Sequence, residues 1–155
     1  MTMEEATKYA VDIFIEIYNK AGENIKGDFG KSLRARARNA PLLIATRGLL
    51  PYILYLASKA SENNWEIKLD NIDYTKNTGG HQAQLYAITK FLQKEGLLSV
   101  TDTASLITHL KEMGVEDLSR YLLAEELVQE FTEHFKRLAE ALLPSEREQS
   151  KERGR

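Results

Sequence analysis

A basic segment in the first half of the chain carries the residues best suited to binding chemistry. From Lys26 to Lys59 there are seven cations and one acid, or about +6, in a chain of net charge −2. The cations that we interpret as a binding surface are Lys31, Arg34, Arg38, Arg47 and Lys59. Arginine donates two parallel hydrogen bonds to a phosphate, and a local positive field attracts polyanions. The segment therefore predicts contact with phosphate groups, those of RNA in particular.

The spacing of the first three cations favours one shared surface. Lys31, Arg34 and Arg38 follow i, i+3, i+7 spacing, which places them on one face of a helix. Arg36 falls on a different face, and Arg47 joins the surface if the next helix folds back. No acid stands four residues away to neutralise these cations. The alternative that stays open is an ordinary solvated basic face.

Residue types that activate a nucleophile or hold a metal are sparse. The chain has no cysteine, which excludes disulfides, thiolate metal ligands and a cysteine nucleophile. The histidines are His81, His109 and His134, and none lies in a metal-binding motif. Glutamates cluster near the end of the chain without histidine support. We therefore predict a protein that is not an enzyme and that uses no metal or other cofactor.

Two further features each allow a binding and a structural interpretation. Gly79 and Gly80 precede a predicted helix, where backbone amides can hold an anion, but the preceding strand and the lysine of a phosphate-binding loop are missing. Phe29, Trp65 and Tyr74 fall in or beside predicted loops. Their rings either stack on bases or anchor those loops to the core.

The elements that position these residues are predicted to be helices. Apolar residues recur at helical spacing in segments that stop at Gly22, at Gly96, at Gly114 and before Pro144. Thr2 with Glu5 fits a capping box at the start of the first helix. No strand pattern competes with these periodicities. The fold class is therefore predicted to be all-α, a compact bundle of about five to six helices.

The basic segment itself is predicted to span two helices. A short basic helix covers residues 31–38, and Asn39 caps an apolar helix that runs to about Ser61, with Pro41 just inside its start. Pro51 cannot sit in a straight helix interior, so a kink is expected near Gly48. Residues 63–80 are polar and predict a long loop, with a short extended piece at 65–69.

Composition bounds the domain organisation and the compartment. We predict one helical domain over residues 1–143 and a charged, disordered tail over 144–155. The polar, acidic N-terminus is unlike a secretory signal, and the longest apolar run contains Arg47 and is too short to span a bilayer. A cytoplasmic protein without membrane contact is expected.

Two segments of the chain show a recognisable order of residues. The first is RARNAPLLIATRGLLPYILYLASKA, residues 36–60, in which a basic helix leads into a proline, an apolar run, a Gly-Leu step and a second apolar run. The second is YLLAEELVQEFTEHFKRLAEALL, residues 121–143, with its basic pair Lys136-Arg137. Together these segments resemble a known family, the small α-helical subunit of the type III-B CRISPR effector, or Cmr complex. Pro51, His134 and the 63–80 connection depart from the family pattern.

The resemblance implies a non-catalytic subunit of an antiviral ribonucleoprotein. Such a subunit stacks against the backbone subunits of the Cmr complex and lines the channel that holds guide RNA and target RNA. The basic surface would then face the RNA, and cleavage would belong to other subunits. The uneven charge, basic near residues 26–59 and acidic over 112–140, also allows self-stacking.

Two other functional classes stay open. Residues 82–98 and 103–113 can be interpreted as the helix-turn-helix of a DNA-binding regulator, although the supposed recognition helix offers only His109 and Lys111. The third class is a small helical ribonuclease that uses histidine and lysine. Binding to single-stranded RNA rather than duplex DNA separates the first class from the regulator.

Overall fold

The computed structural model describes residues 3–60 and 67–145 of the chain, and the regular structure of this part is helical. The helices are α1 Met3–Ala21, α2 Asp28–Arg47, α3 Leu49–Ala60, α4 Thr78–Lys94, α5 Thr103–Glu116 and α6 Leu118–Leu142, with a 3₁₀ helix Gly22–Lys26 between α1 and α2. The predicted all-α bundle is thereby confirmed. No helix within the described ranges is long and apolar enough to cross a membrane.

The centre of the bundle is built where α1, α4 and α6 bring aromatic side chains together. The rings of Phe91 and Phe131 are stacked with centroids 4.4 Å apart, and Phe14 meets Phe135 edge-on at 5.3 Å. All four side chains are buried. Such rings bury large apolar areas and prefer offset or edge-to-face contact. Around this centre α2 packs between α4 and α6, and α3 packs on α4.

α2 corrects the prediction of two helices. The chain is continuously helical from Asp28 to Arg47, so the break predicted at Asn39 is wrong. Pro41 lies in the helix interior and cannot donate a hydrogen bond to the Ala37 carbonyl, which ordinarily costs about 3 kcal/mol. The helix continues because its apolar face runs through the proline and is buried at Leu33, Ala37, Ala40 and Ile44.

The kink predicted near Gly48 is a complete break between two helices. Gly48 has a φ of 96°, a backbone angle that residues with a Cβ rarely adopt. The amides that begin α3 are then satisfied from α6: Leu49 N–H donates to Glu125 Oε2 and Leu50 N–H to Tyr121 Oη, both at 2.9 Å. Pro51 comes next, in the first turn, where no amide proton is needed.

Residues 67–77, which precede α4, do not form a helix. Their backbone pairs with the start of α5: Leu69 N–H donates to Thr101 O at 2.9 Å, and Thr103 N–H donates to Ile67 O at 3.2 Å. The predicted extended piece is represented by this single bridge between Lys68 and Asp102. The Thr2 cap, Trp65 and residues 146–155 of the predicted tail lie outside the described residues.

A close approach of α2 and α4 depends on Gly80. A Cβ at this position would lie 2.6 Å from the Leu33 amide nitrogen and would also overlap Ser32. The Gly79 and Gly80 amides donate to backbone carbonyls of Lys76 and Asn77, both at 3.0 Å. Both glycines are buried, so their amides are engaged within the fold and the anion-binding interpretation is wrong.

Candidate nucleic-acid interface

The predicted basic surface runs along the outer side of α2, and its three cations differ in exposure. Arg38 is exposed and Arg34 is half-buried, so both guanidinium groups are accessible to a phosphate. Lys31 is only 6% exposed, and its Nζ has no hydrogen-bond partner among the described residues. An ammonium held out of water without a partner is costly. Lys31 can reach a phosphate only if its side chain moves outward.

Arg47 and Lys59 mark the C-terminal ends of α2 and α3. Arg47 is the last residue of α2 and is exposed beside the Gly48 break, where its charge also favours the negative end of the helix dipole. Lys59 is exposed in the last turn of α3. The ion pairs found among the described residues are Lys20–Glu16 and Lys76–Asp73, so none of the five predicted cations is neutralised by a described acid.

The other side of α2 carries a polar cluster that the sequence did not reveal. Arg36 Nη1 donates to His81 Nε2 across the α2–α4 contact at 2.6 Å. The Tyr55 ring on α3 lies 6.3 Å from the imidazole, and the Tyr52 hydroxyl is buried without a described partner. We call Arg36, Tyr55, Lys59 and His81 the Arg36 cluster. It unites the predicted cation Lys59 with three residues, Arg36, Tyr55 and His81, that were not predicted as RNA contacts.

His81 is neutral in this arrangement. Burial of the imidazole, followed by the positive charge of Arg36 and more weakly that of Lys59, lowers the pKa of His81 to about 4. A neutral ring can accept the guanidinium hydrogen bond on Nε2, whereas a protonated ring has no acceptor. The histidine therefore orients Arg36 without neutralising its charge.

The aromatic residues considered for base stacking are placed differently. The Phe29 side chain is buried and meets the half-buried Tyr74 ring edge-on at 4.9 Å. Phe29 is therefore a core anchor and offers no face to a base. Tyr55, which was not predicted, is 37% exposed, and its ring lies 6.3 Å from the His81 imidazole, whose pKa both Arg36 and Lys59 lower.

Comparison with known families decides the identity of this fold. The family model of the CRISPR-associated protein (Cas_Cmr5) matches residues 6–142. The chain belongs to the CRISPR-associated Cas_Cmr5 family. No curated protein matches the chain. Both segments that resemble the small Cmr subunit, 36–60 and 121–143, fall in or almost wholly in the matched range, and association with the Cmr complex follows from the family.

The described acids of this Cas_Cmr5 chain include several with structural roles. Glu125 caps α3, Asp102 accepts from Ser105 N–H at the start of α5, and Asp117 accepts from Arg120 N–H at the start of α6. Within the described ranges no three His, Asp or Glu side chains are grouped to hold a metal. A cleft of about 320 Å³ lies beside α4 and is lined by Lys68, Tyr86 and Lys90 among others, but by none of the five predicted cations.

The helix-turn-helix interpretation does not match the geometry of α4 and α5. Eight residues, 95–102, separate these helices, whereas a helix-turn-helix uses a turn of about three or four. α4 is the central helix and packs on α1, α2, α3 and α6, and its contact with α5 is slight. The arrangement lacks the paired helices that present a recognition helix to a groove.

Proposed function

We propose that this Cas_Cmr5 chain is a non-catalytic, cytoplasmic structural subunit of the type III-B effector that touches guide or target RNA through the outer side of α2. The contacts are assigned to Arg34, Arg38 and Arg47, with Lys59 at the end of α3 and Lys31 as a contact that needs outward movement. The observation that carries the proposal is that these cations have no described acid partner. An unneutralised arginine row on a rigid helix suits a phosphate backbone.

Contacts with neighbouring protein subunits are assigned to the end of the bundle where α5 meets α6. Val115 near the end of α5 and Leu118 and Leu122 in the first two turns of α6 are 79%, 57% and 51% exposed, which is unusual for large apolar side chains close together in sequence. Acids surround them at Glu112, Glu116 and Asp117. An apolar patch with an acidic rim supports stacking on a backbone subunit or on a second copy of the chain.

The test of RNA contact reverses charge on the outer side of α2 in the reconstituted effector. Arg34→Glu with Arg38→Glu should weaken binding of target RNAs of unrelated sequence by the same factor, because phosphates carry no sequence information. The dependence of log affinity on log salt should flatten by about 0.7 to 0.9 per lost contact.

The matched control reverses two exposed lysines elsewhere, Lys8→Glu with Lys111→Glu. It changes the net charge by the same amount and should leave RNA affinity close to wild type. If both double variants lost the same RNA affinity, the net charge of the chain and not the position of the arginines would explain the loss. An assembled Arg34/Arg38 variant with wild-type affinity at low salt would remove the RNA assignment.

A further inference from the structure

Arg36 is a half-buried cation whose charge is unpaired within the described chain. One of its five N–H donors is given to His81 at 2.6 Å, and no described carboxylate lies within ion-pair distance. The partner is a neutral ring, so the guanidinium keeps its full charge. A partly desolvated arginine held in one orientation is prepared for an external anion, because the entropic cost of ordering it is already met by the fold.

A second cation, Lys59, and an aromatic ring, Tyr55, also lie near His81. The Lys59 charge is close enough to His81 to act on its pKa, and so is that of Arg36. Tyr55 lies one helical turn before Lys59, and its ring is held between Tyr52, 6.4 Å away, and the His81 imidazole, 6.3 Å away. The ring is 37% exposed, so part of it is available to a ligand.

We propose that the Arg36 cluster is a second RNA contact, in which Arg36 and Lys59 bind backbone phosphate and Tyr55 packs against the adjoining base or sugar. The inference rests on the proposed function, shares Lys59 with it, and adds Arg36 and Tyr55 as RNA contacts. Two unneutralised cations beside an aromatic face match a single-stranded nucleotide, which offers both phosphate charge and a stacking surface. A carboxylate on a protein partner would supply the anion without the stacking surface.

The two contacts are separate because of helix geometry. Residues of an α-helix advance by about 100° each, so Arg36 and Arg38 leave α2 roughly 200° apart. Arg38 is exposed on the outer side, whereas Arg36 faces α4 through His81. The same RNA phosphate cannot reach both, so losses of affinity at the two sites should add.

His81 acts in this proposal as a positioning residue for Arg36. His81→Phe keeps a ring but removes the acceptor, so Arg36 loses its fixed direction and RNA affinity should fall toward that of Arg36→Gln. His81→Gln places an amide oxygen close to the position of Nε2 and should restore most of the affinity. Wild-type affinity in the His81→Phe protein would contradict the positioning role.

The direct test measures binding of fluorescein-labelled single-stranded RNA, in two unrelated sequences, to the reconstituted effector. Arg36→Gln with Lys59→Gln should weaken both RNAs equally and flatten the salt dependence by about 1.4, at about 0.7 per single-strand contact. Tyr55→Leu should weaken binding about tenfold with no change of salt slope, because stacking releases no counterions. Lys8→Gln with Lys111→Gln, which also removes two exposed positive charges, is the matched control and should bind as wild type.

The outcomes separate this inference from the proposed function. If Arg34→Glu with Arg38→Glu weakens RNA binding while the Arg36, Lys59 and Tyr55 variants bind as wild type, the second contact is wrong, and the proposed function stands on α2 without its Lys59 contact. If neither set changes affinity, both are wrong. If the folded Arg36/Lys59 variant fails to enter the effector, the cluster contacts a protein subunit instead, which also overturns the inference.

Discussion

The two sides of α2 hold their arginines in opposite ways. On the outer side Arg38 is exposed and Arg34 half-buried, and neither is paired with a described acid. On the inner side Arg36 is fixed by His81, in a contact between residues 45 positions apart in sequence. Cations two residues apart therefore meet different environments. The comparison shows that charge spacing identifies a basic helix, while tertiary packing decides which of its cations are orientated.

The largest effect is expected where the inner side depends on close helix packing. Gly80→Ala places a Cβ against the Leu33 amide and Ser32, so α2 and α4 must separate. We expect a loss of about 3 kcal/mol in the free energy of unfolding, measured by urea denaturation. Gly114→Ala is the control, because its Cβ would meet only Tyr121 at 3.7 Å or more and should be neutral or slightly stabilising. Equal stability of the two variants would contradict this close approach.

The second effect is a pH dependence of the free energy of unfolding that arises from His81, on the inner side of α2. Because the pKa of His81 is about 4 in the folded chain, against about 6.5 when unfolded, the unfolded state binds more protons between these values. The free energy of unfolding should therefore be at its full value above about pH 7 and should fall by about 2 kcal/mol by pH 5. Urea titrations at both pH values measure this loss. His81→Gln should lose much less over the same interval, and an equal loss in both proteins would assign the effect to other groups.

A smaller effect is expected at the junction between α2 and α3. Glu125→Ala removes the acceptor of the Leu49 amide and should cost about 1 kcal/mol, the usual value of a helix cap. Glu126→Ala is the matched control, since that side chain is exposed on the next position of α6. Thermal unfolding followed by circular dichroism compares them. A Glu125 variant as stable as its control would mean that water replaces the carboxylate.

The smallest stability effect belongs to the outer side. Arg34→Gln with Arg38→Gln should change the free energy of unfolding by no more than about 0.5 kcal/mol, since neither side chain is paired with a described acid. The same urea titration tests this. A loss above about 2 kcal/mol would show that these arginines are structural, and the contrast between the two sides would disappear.

Much of the fold was predictable because apolar residues repeat along each helix with little interruption. The helix ends at Gly22 and Gly96 were also predictable, and a kink was predicted near Gly48 where the chain breaks fully; glycine adopts the positive φ found at all three. The continuity of α2 through Pro41 was not, because it depends on burial against α4 and α6 rather than on local preference. Asn39 and Pro41 are local signals for a helix start, but tertiary packing keeps α2 helical through both residues.

The candidate site was predictable only in part, for a similar reason. A run of arginines without nearby acids pointed to α2 as the candidate surface, which stays a prediction. Helical spacing grouped Lys31 with Arg34 and Arg38, but Lys31 is buried. The Arg36 cluster joins three helices, so no local pattern reports it. The i, i+4 pair Tyr55 and Lys59 was the one signal in the sequence, and it gains meaning only once His81 is placed beside it.

Electron cryomicroscopy of the reconstituted effector with guide and target RNA tests the central claim most directly. The account predicts phosphate oxygens within about 3 Å of the Arg34 or Arg38 guanidinium, with a separate nucleotide at Arg36, Lys59 and Tyr55. A map in which the outer side of α2 packs against a protein subunit, or faces solvent with no RNA near it, would contradict the account.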